Sequence, residues 1–213
     1  MNFVFKKYWR KTSLKKKQDA QFLINHILKK KPKNFLEIGI FHGVTSRNVC
    51  ELLYSINNNN FKFTGIDIFL EKSEIDSDEY IPQTKFSNPL KTFYYHYIVR
   101  LDPYSLKSVL KLLNKFKDNI LIIKGNSNKV LKNLNTNEID YVFLDGGHKY
   151  ETVKNDLQFL KEIVLKNGVL LCDDYNLTYA SGVKQAINEF VKLNNFELKI
   201  FNSRFAEITK KKI

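Results

Sequence analysis

A chain of 213 residues fits one sizeable domain and buries enough apolar surface to need no disulfide staples. Its two cysteines, Cys50 and Cys172, both lie in apolar runs; this excludes a disulfide framework and a thiolate metal pattern and reads as buried, reduced thiols of a cytoplasmic protein. The net charge of +13 is concentrated: residues 1–33 hold eleven of the 35 Lys and Arg and one of the 22 acids, so a basic arm precedes a nearly neutral body.

The opening "MNFVFKKYWRKTSLKKK" lacks the apolar centre and cleavage site of a leader. No apolar run approaches the ~20 residues of a bilayer span. Such an arm could touch nucleic acid, anionic lipid or an acidic glycan. A solvated, lysine-rich helix is the simpler reading and the favoured one. Residues 13–30 place Phe22, Leu23, Ile24, Ile27 and Leu28 on one side of an amphipathic helix, with His26 on its surface.

Strand-like and helix-like runs then alternate. Strands are expected at 34–40, 61–69, 119–127, 139–147 and 168–175, and helices at 44–56, 130–134, 150–165 and 182–193. Asp102-Pro103 reads as the N-cap and first residue of a helix reaching about Phe116. Two closing runs, 196–201 and 204–210, flank Asn202-Ser203 and predict an antiparallel hairpin. Repeated βα units imply a mostly parallel sheet with helices on both faces, and ligands bind beyond the carboxyl ends of its strands.

The polar residues do fall at those ends. "LEIGIFHGVTS" carries Glu37, Gly39 and Gly43, an E-x-G-x-x-x-G turn that lets backbone approach a ligand. It is neither the G-x-G-x-x-G of a dinucleotide site nor a P-loop. Asp67 ends the second strand, where an acid can hold ribose hydroxyls; Asn126 and Ser127 end the third and could read an adenine edge. Asp145 ends the fourth, in "FLDGGHKY". Asp173 and Asp174 end the fifth, 28 and 29 residues later. Converging carboxylates repel unless neutralised, and a hard divalent ion with oxygen ligands, Mg²⁺ foremost, suits Asp145, Asp173 and Asp174. His148 follows Asp145 by three residues, and histidine exchanges protons near neutral pH. Taken singly, Asp145 could be a turn residue and His148 a helix cap.

Together "FLEIGIFHGVTS", "FTGIDIF", "IIKGNS", "IDYVFLDGGHKYETVKNDL" and "GVLLCDDY" resemble class I S-adenosylmethionine-dependent methyltransferases, over roughly residues 34–210. The likeness is strongest to the small-molecule and sugar O-methyltransferases, the macrolide-sugar enzymes among them. The resemblance implies an α/β, Rossmann-like fold: a seven-stranded, mostly parallel sheet with an antiparallel last strand. It implies a methyltransferase domain at 34–213 after the basic arm and helix of 1–33. It places Glu37, Gly39 and Gly43 at the amino-acid end of S-adenosylmethionine, Asp67 at its ribose, and Asn126, Ser127 and Asp145 beside it. It makes the Asp145, Asp173 and Asp174 metal an aid to the acceptor hydroxyl and His148 the base, with Asp145 the second catalytic residue.

Residues 70–101 interrupt the βα rhythm and are expected to form a lid insertion, its aromatics offering Tyr94, Tyr95 and His96 to the acceptor, or else an extra packing helix. His42 and Tyr175 are further candidates for acceptor contact. The expected acceptor is a sugar hydroxyl, free, nucleotide-linked or in a glycan. A catechol-type acceptor is the runner-up, and an RNA substrate or other nucleic-acid role stands third. A homo-oligomer, or a place in a larger multidomain enzyme, is left open.

Overall fold

In the computed structural model, which describes residues 3–69 and 86–211, seven strands form one sheet. They are β1 (Asn34–Ile38), β2 (Lys62–Asp67), β3 (Ile120–Lys124), β4 (Tyr141–Leu144), β5 (Val169–Cys172), β6 (Phe196–Phe201) and β7 (Phe205–Lys210). Their order is β3-β2-β1-β4-β5-β7-β6, with β7 antiparallel to both β5 and β6. This is the seven-stranded, Rossmann-like arrangement that the resemblance implies. The strand order reverses between β1 and β4, the position where open α/β sheets form ligand crevices.

Alternation along the strands supplies two cores. Phe35, Tyr141 and Phe143 face one side, where α1 (Lys17–Lys30), α2 (Val44–Asn57) and the later α4 (Leu106–Leu113) pack. Leu36, Val142 and Leu144 face the other, covered by α6 (Tyr150–Leu165) and α7 (Ser181–Asn194). Two short helices complete the set: α3 (Pro89–Phe93), which continues as a π-helical turn through Val99, and α5 (Ser127–Val130). The first helix after the insertion begins at Leu106, not at Pro103. The Ser105 hydroxyl takes the Ser108 N–H and so sets the cap, while Asp102 spends a carboxylate oxygen on the Tyr104 N–H.

His26 is a correction. It is buried, not on the helix surface, because α1 turns it onto the sheet. Its Nδ1 lies 2.7 Å from the Tyr141 hydroxyl and its Nε2 2.5 Å from Glu207, which also accepts from Lys30 at 2.9 Å. Burial alone would raise the Glu207 carboxyl, but the hydrogen bonds and charges of His26 and Lys30 hold it down at about 2. The stabilisation is thus complete above the ordinary value of 4.5 and lost as pH falls through about 2. Urea midpoints measured against pH should show that acid limb in the wild type, and Glu207→Gln should flatten its share of it.

The basic arm is only partly solvated. Most of its lysines face water, but the Arg10 guanidinium is buried; it donates to the carbonyls of His42 (3.0 Å), Pro103 (3.3 Å) and Ser108 (3.0 Å) and to the Ser108 hydroxyl (3.0 Å). Leu14 is fully buried. The segment before α1 therefore runs across the carboxyl-end edge of the sheet, above the crevice.

Candidate active site

Parallel register aligns the strand ends. Ile38 pairs with Leu144 and Leu144 with Cys172, so the residues that follow, Gly39, Asp145 and Asp173, emerge side by side. Asp145, Gly146, Gly147, His148, Asp173 and Asp174 line one small cavity, as the sequence pattern requires.

The first turn is tight. Gly39 has φ +93°, and a Cβ there would lie 2.0 Å from the Asp145 carbonyl oxygen. Gly43 also has positive φ (+73°) and starts α2. Beneath the turn Glu37 is fully buried. The Ser46 hydroxyl donates to its Oε2 at 2.6 Å, and Oε1 has no partner among the described residues. Burial lifts the Glu37 carboxyl to about 8, against the Ser46 hydrogen bond and with help from the charge of Asp67. His42 accepts the Lys11 N–H on Nδ1, while its buried Nε2 is likewise without a partner. Burial, Arg10 and Lys11 push His42 down to about 3, so the ring is neutral. Two orphaned polar atoms and a turn that excludes any side chain fit a bound polar molecule lying along this backbone, as the amino-acid end of S-adenosylmethionine would.

Other expected contacts look different. Asp67 is saturated: Oδ2 accepts the N–H groups of Ile40 (2.7 Å) and Phe41 (2.8 Å), and Oδ1 accepts those of Phe69 (2.9 Å) and the Tyr104 hydroxyl (3.0 Å). A carboxylate has about four lone-pair sites. In this conformation Asp67 organises the turn, and a ribose would have to displace one of these bonds. Ser127 donates to Asp156 (3.0 Å), and Asn126 caps α5 through the Asn128 N–H (3.0 Å). Tyr175 is a correction. Its ring is buried in the second core and its hydroxyl donates to Asn188 at 2.8 Å, so it faces α7 and not an acceptor. In the insertion, residues 70–85 lie outside the described residues. Tyr95 is buried and stacks on Phe86 (5.2 Å), Tyr94 meets the Trp9 edge (5.3 Å), and His96 is exposed against Tyr97. The described part of the insertion thus packs on the N-terminal segment.

The three carboxylates converge on the small cavity, and protein groups already engage each of them. Arg204, in the β6–β7 turn, forks onto Asp173, with Nε 2.5 Å from Oδ1 and an Nη 2.6 Å from Oδ2. Ser13 donates to Asp145 at 2.7 Å. Asp174 holds His148 Nε2 at 2.7 Å. Among the described residues no group of three or more His, Cys, Asp and Glu is arranged to hold a metal ion. The Asp145, Asp173 and Asp174 set expected to hold magnesium is engaged by protein groups in this conformation: a guanidinium takes both oxygens of Asp173, a hydroxyl one of Asp145 and an imidazole one of Asp174. Burial pushes Asp173 up to about 6, so it is still ionised at neutral pH, and burial with Asp173 and Asp174 raises Asp145 well above the ordinary range. The carboxylates outweigh burial at Arg204 and raise its pKa, so it remains charged.

Ser13, Arg10 and Arg204 are the partners that sequence reasoning missed. One signal was available. The chain has four arginines among its 35 basic residues, and Arg10, Arg47 and Arg204 all make fork-like contacts that lysine cannot.

Residues 36–175 match a family model described as a methyltransferase domain. Compared with curated proteins by sequence, the chain matches none. Three solved structures show the fold. SAH-bound PaMTH1, a methyltransferase of Podospora anserina, superposes with a TM-score of 0.61 at 16% identity, over 93% of this chain and 80% of that one. CalS11, a TDP-rhamnose 3'-O-methyltransferase of calicheamicin biosynthesis, gives 0.60 at 15% over 91% and 79%. The O-methyltransferase NovP gives 0.62 at 16% over 92% and 79%. At these identities the likeness is one of fold. No helix among the described residues is long and apolar enough to cross a membrane. The family match over most of the chain, on this sheet order and with these strand-end residues, makes the protein a member of the methyltransferase-domain family and an S-adenosylmethionine-dependent methyltransferase.

Proposed function

We propose that the protein is an O-methyltransferase acting on a sugar hydroxyl, with His148 as general base. One observation carries this reading: the His148 imidazole is oriented by Asp174 in the cavity where the ends of β4 and β5 meet, beside the first turn. With Asp174 accepting the Nε2 proton, the lone pair lies on Nδ1, which is buried in this conformation. A shift of the ring that uncovers this nitrogen would let it take the acceptor hydroxyl proton as the oxygen becomes a nucleophile. When bound, S-adenosylmethionine supplies the electrophilic methyl group. Glu37, Gly39, Gly43 and His42 would hold its amino-acid end, and orientation along the line of displacement supplies much of the acceleration.

The neighbouring surface supports that acceptor class. A cleft of about 350 Å³ opens past Arg204 and is lined, among the described residues, by Lys16, Gln18, Asp19, Asn176, Asn202 and Ser203 beside the apolar Leu177. These groups read hydroxyls; a flat phenol would want an apolar slot. The sugar methyltransferase CalS11 among the structural neighbours supports the same class. The test is to incubate the enzyme and S-adenosylmethionine with nucleotide-linked deoxysugars and, separately, catechols, and to read methylated product by mass spectrometry. Sugar products alone support the reading. Catechol products alone would overturn the acceptor class.

Glu37 gives this reading a pH signature. Below about 8 its buried carboxyl carries a proton, whereas a cofactor ammonium favours the carboxylate. Binding of S-adenosylhomocysteine at pH 7 should therefore release close to one proton, and affinity should climb as pH rises toward 8. Calorimetry in buffers of differing ionisation enthalpy measures both, and Glu37→Gln should abolish the release.

A further inference from the structure

We propose that the Arg204 guanidinium is the resident cation of the acidic cluster, standing where a divalent ion would otherwise be needed, and that it positions Asp173 and Asp174 to orient His148. The protein then transfers methyl groups without an added divalent ion. The proposal rests on the site described above for its catalytic consequence, but its central claim concerns ion binding alone.

The placement follows from topology. Cys172 pairs with Ala206 across the antiparallel β5–β7 ladder, so the chain just before β7 lies opposite the acids just after β5. The Tyr175 N–H donates to the Arg204 carbonyl at 2.8 Å and the Arg204 N–H to the Phe201 carbonyl at 3.0 Å, which pins the backbone. The side chain is 12% exposed and reaches four oxygens: both of Asp173, one of Asp174 at 3.5 Å and one of Asp19 at 3.5 Å. Asp173 Oδ1 additionally accepts the Asp174 N–H at 2.7 Å. A planar fork matches a carboxylate in two parallel bonds, and its charge is permanent. A metal ligated by Asp173 here would have to break that bidentate pair.

The test strips the protein of ions with a chelator. Mn²⁺ is then titrated as a paramagnetic probe, and thermal unfolding is followed with and without Mn²⁺, for wild type, Arg204→Met and Arg204→Lys. The stripped wild type should keep its affinity for S-adenosylhomocysteine, bind no Mn²⁺ in the millimolar range and show no change in Tm. Arg204→Met should melt lower and gain a Mn²⁺-dependent rise of about 3–6 °C near ten times the ion's Kd, because the bared carboxylates now accept it. Arg204→Lys should melt between the two and show no such rise. One Mn²⁺ bound per wild-type chain and lost in Asp173→Asn would overturn the proposal, as would an Arg204→Met protein indifferent to Mn²⁺. If Arg204→Met does not fold under either condition, the wild-type titration decides by itself. A wild type that ignores S-adenosylhomocysteine refutes the functional reading and leaves the ion result intact.

Discussion

Replacing His148 by Ala is expected to lower kcat by about 10²–10⁴-fold, the usual worth of a positioned general base, while S-adenosylhomocysteine affinity changes little. The separation arises because the ring contacts the end of β5 through Asp174 and lies 5.6 Å from the Tyr179 ring, whereas the orphaned atoms of the first turn accept no hydrogen bond from it. Asp174→Asn should reduce kcat less than His148→Ala, since the imidazole remains but loses the partner that fixes its tautomer. A drop in cofactor affinity equal to the drop in kcat would instead make His148 a structural prop.

Gly39→Ala should destabilise the fold by more than about 3 kcal/mol and abolish measurable cofactor binding, the largest effect expected of any single methyl group in the chain. Two penalties combine. The backbone sits at φ +93°, which side chains rarely adopt, and the new Cβ would fall 2.0 Å from a backbone carbonyl oxygen and 2.5 Å from its carbon. Those atoms belong to Asp145, whose own N–H is tied to the Ile38 carbonyl at 2.8 Å, so neither strand end can yield without unpairing. Gly43→Ala is the control. Its positive φ carries a penalty of about 1–2 kcal/mol, but its Cβ meets only the side chains of Val109 and Leu112, at 3.2–3.4 Å, and these can shift. Urea unfolding of both variants measures the difference, and near-equal losses would refute the close-approach argument.

Much of this architecture was legible locally. Apolar runs marked 34–40 and 139–147 as strands, and helix-like runs marked α2, α6 and α7. Turn chemistry marked Asn202-Ser203 as a hairpin, which the structure has. The rule that ligands gather at strand carboxyl ends was enough to collect Gly39, Asp145, His148, Asp173 and Asp174 without knowing any contact.

What the residues of one element imply about that element, the sequence by itself determined: the βα succession, the buried strands and the acids at their ends. Who answers those acids was decided only by tertiary structure. Ser13 meets Asp145 across 132 residues, His26 meets Glu207 across 181, and Arg204 meets Asp173 across 31, each through an edge or face that exists only once the sheet is assembled. A lone carboxylate in a sequence asks for a counter-charge but does not say whether it will be an ion or a guanidinium. Periodicity carries information about a residue's own surroundings along the chain; neutralisation depends on distance in space, and an antiparallel strand delivered Arg204 to the place where a metal was expected.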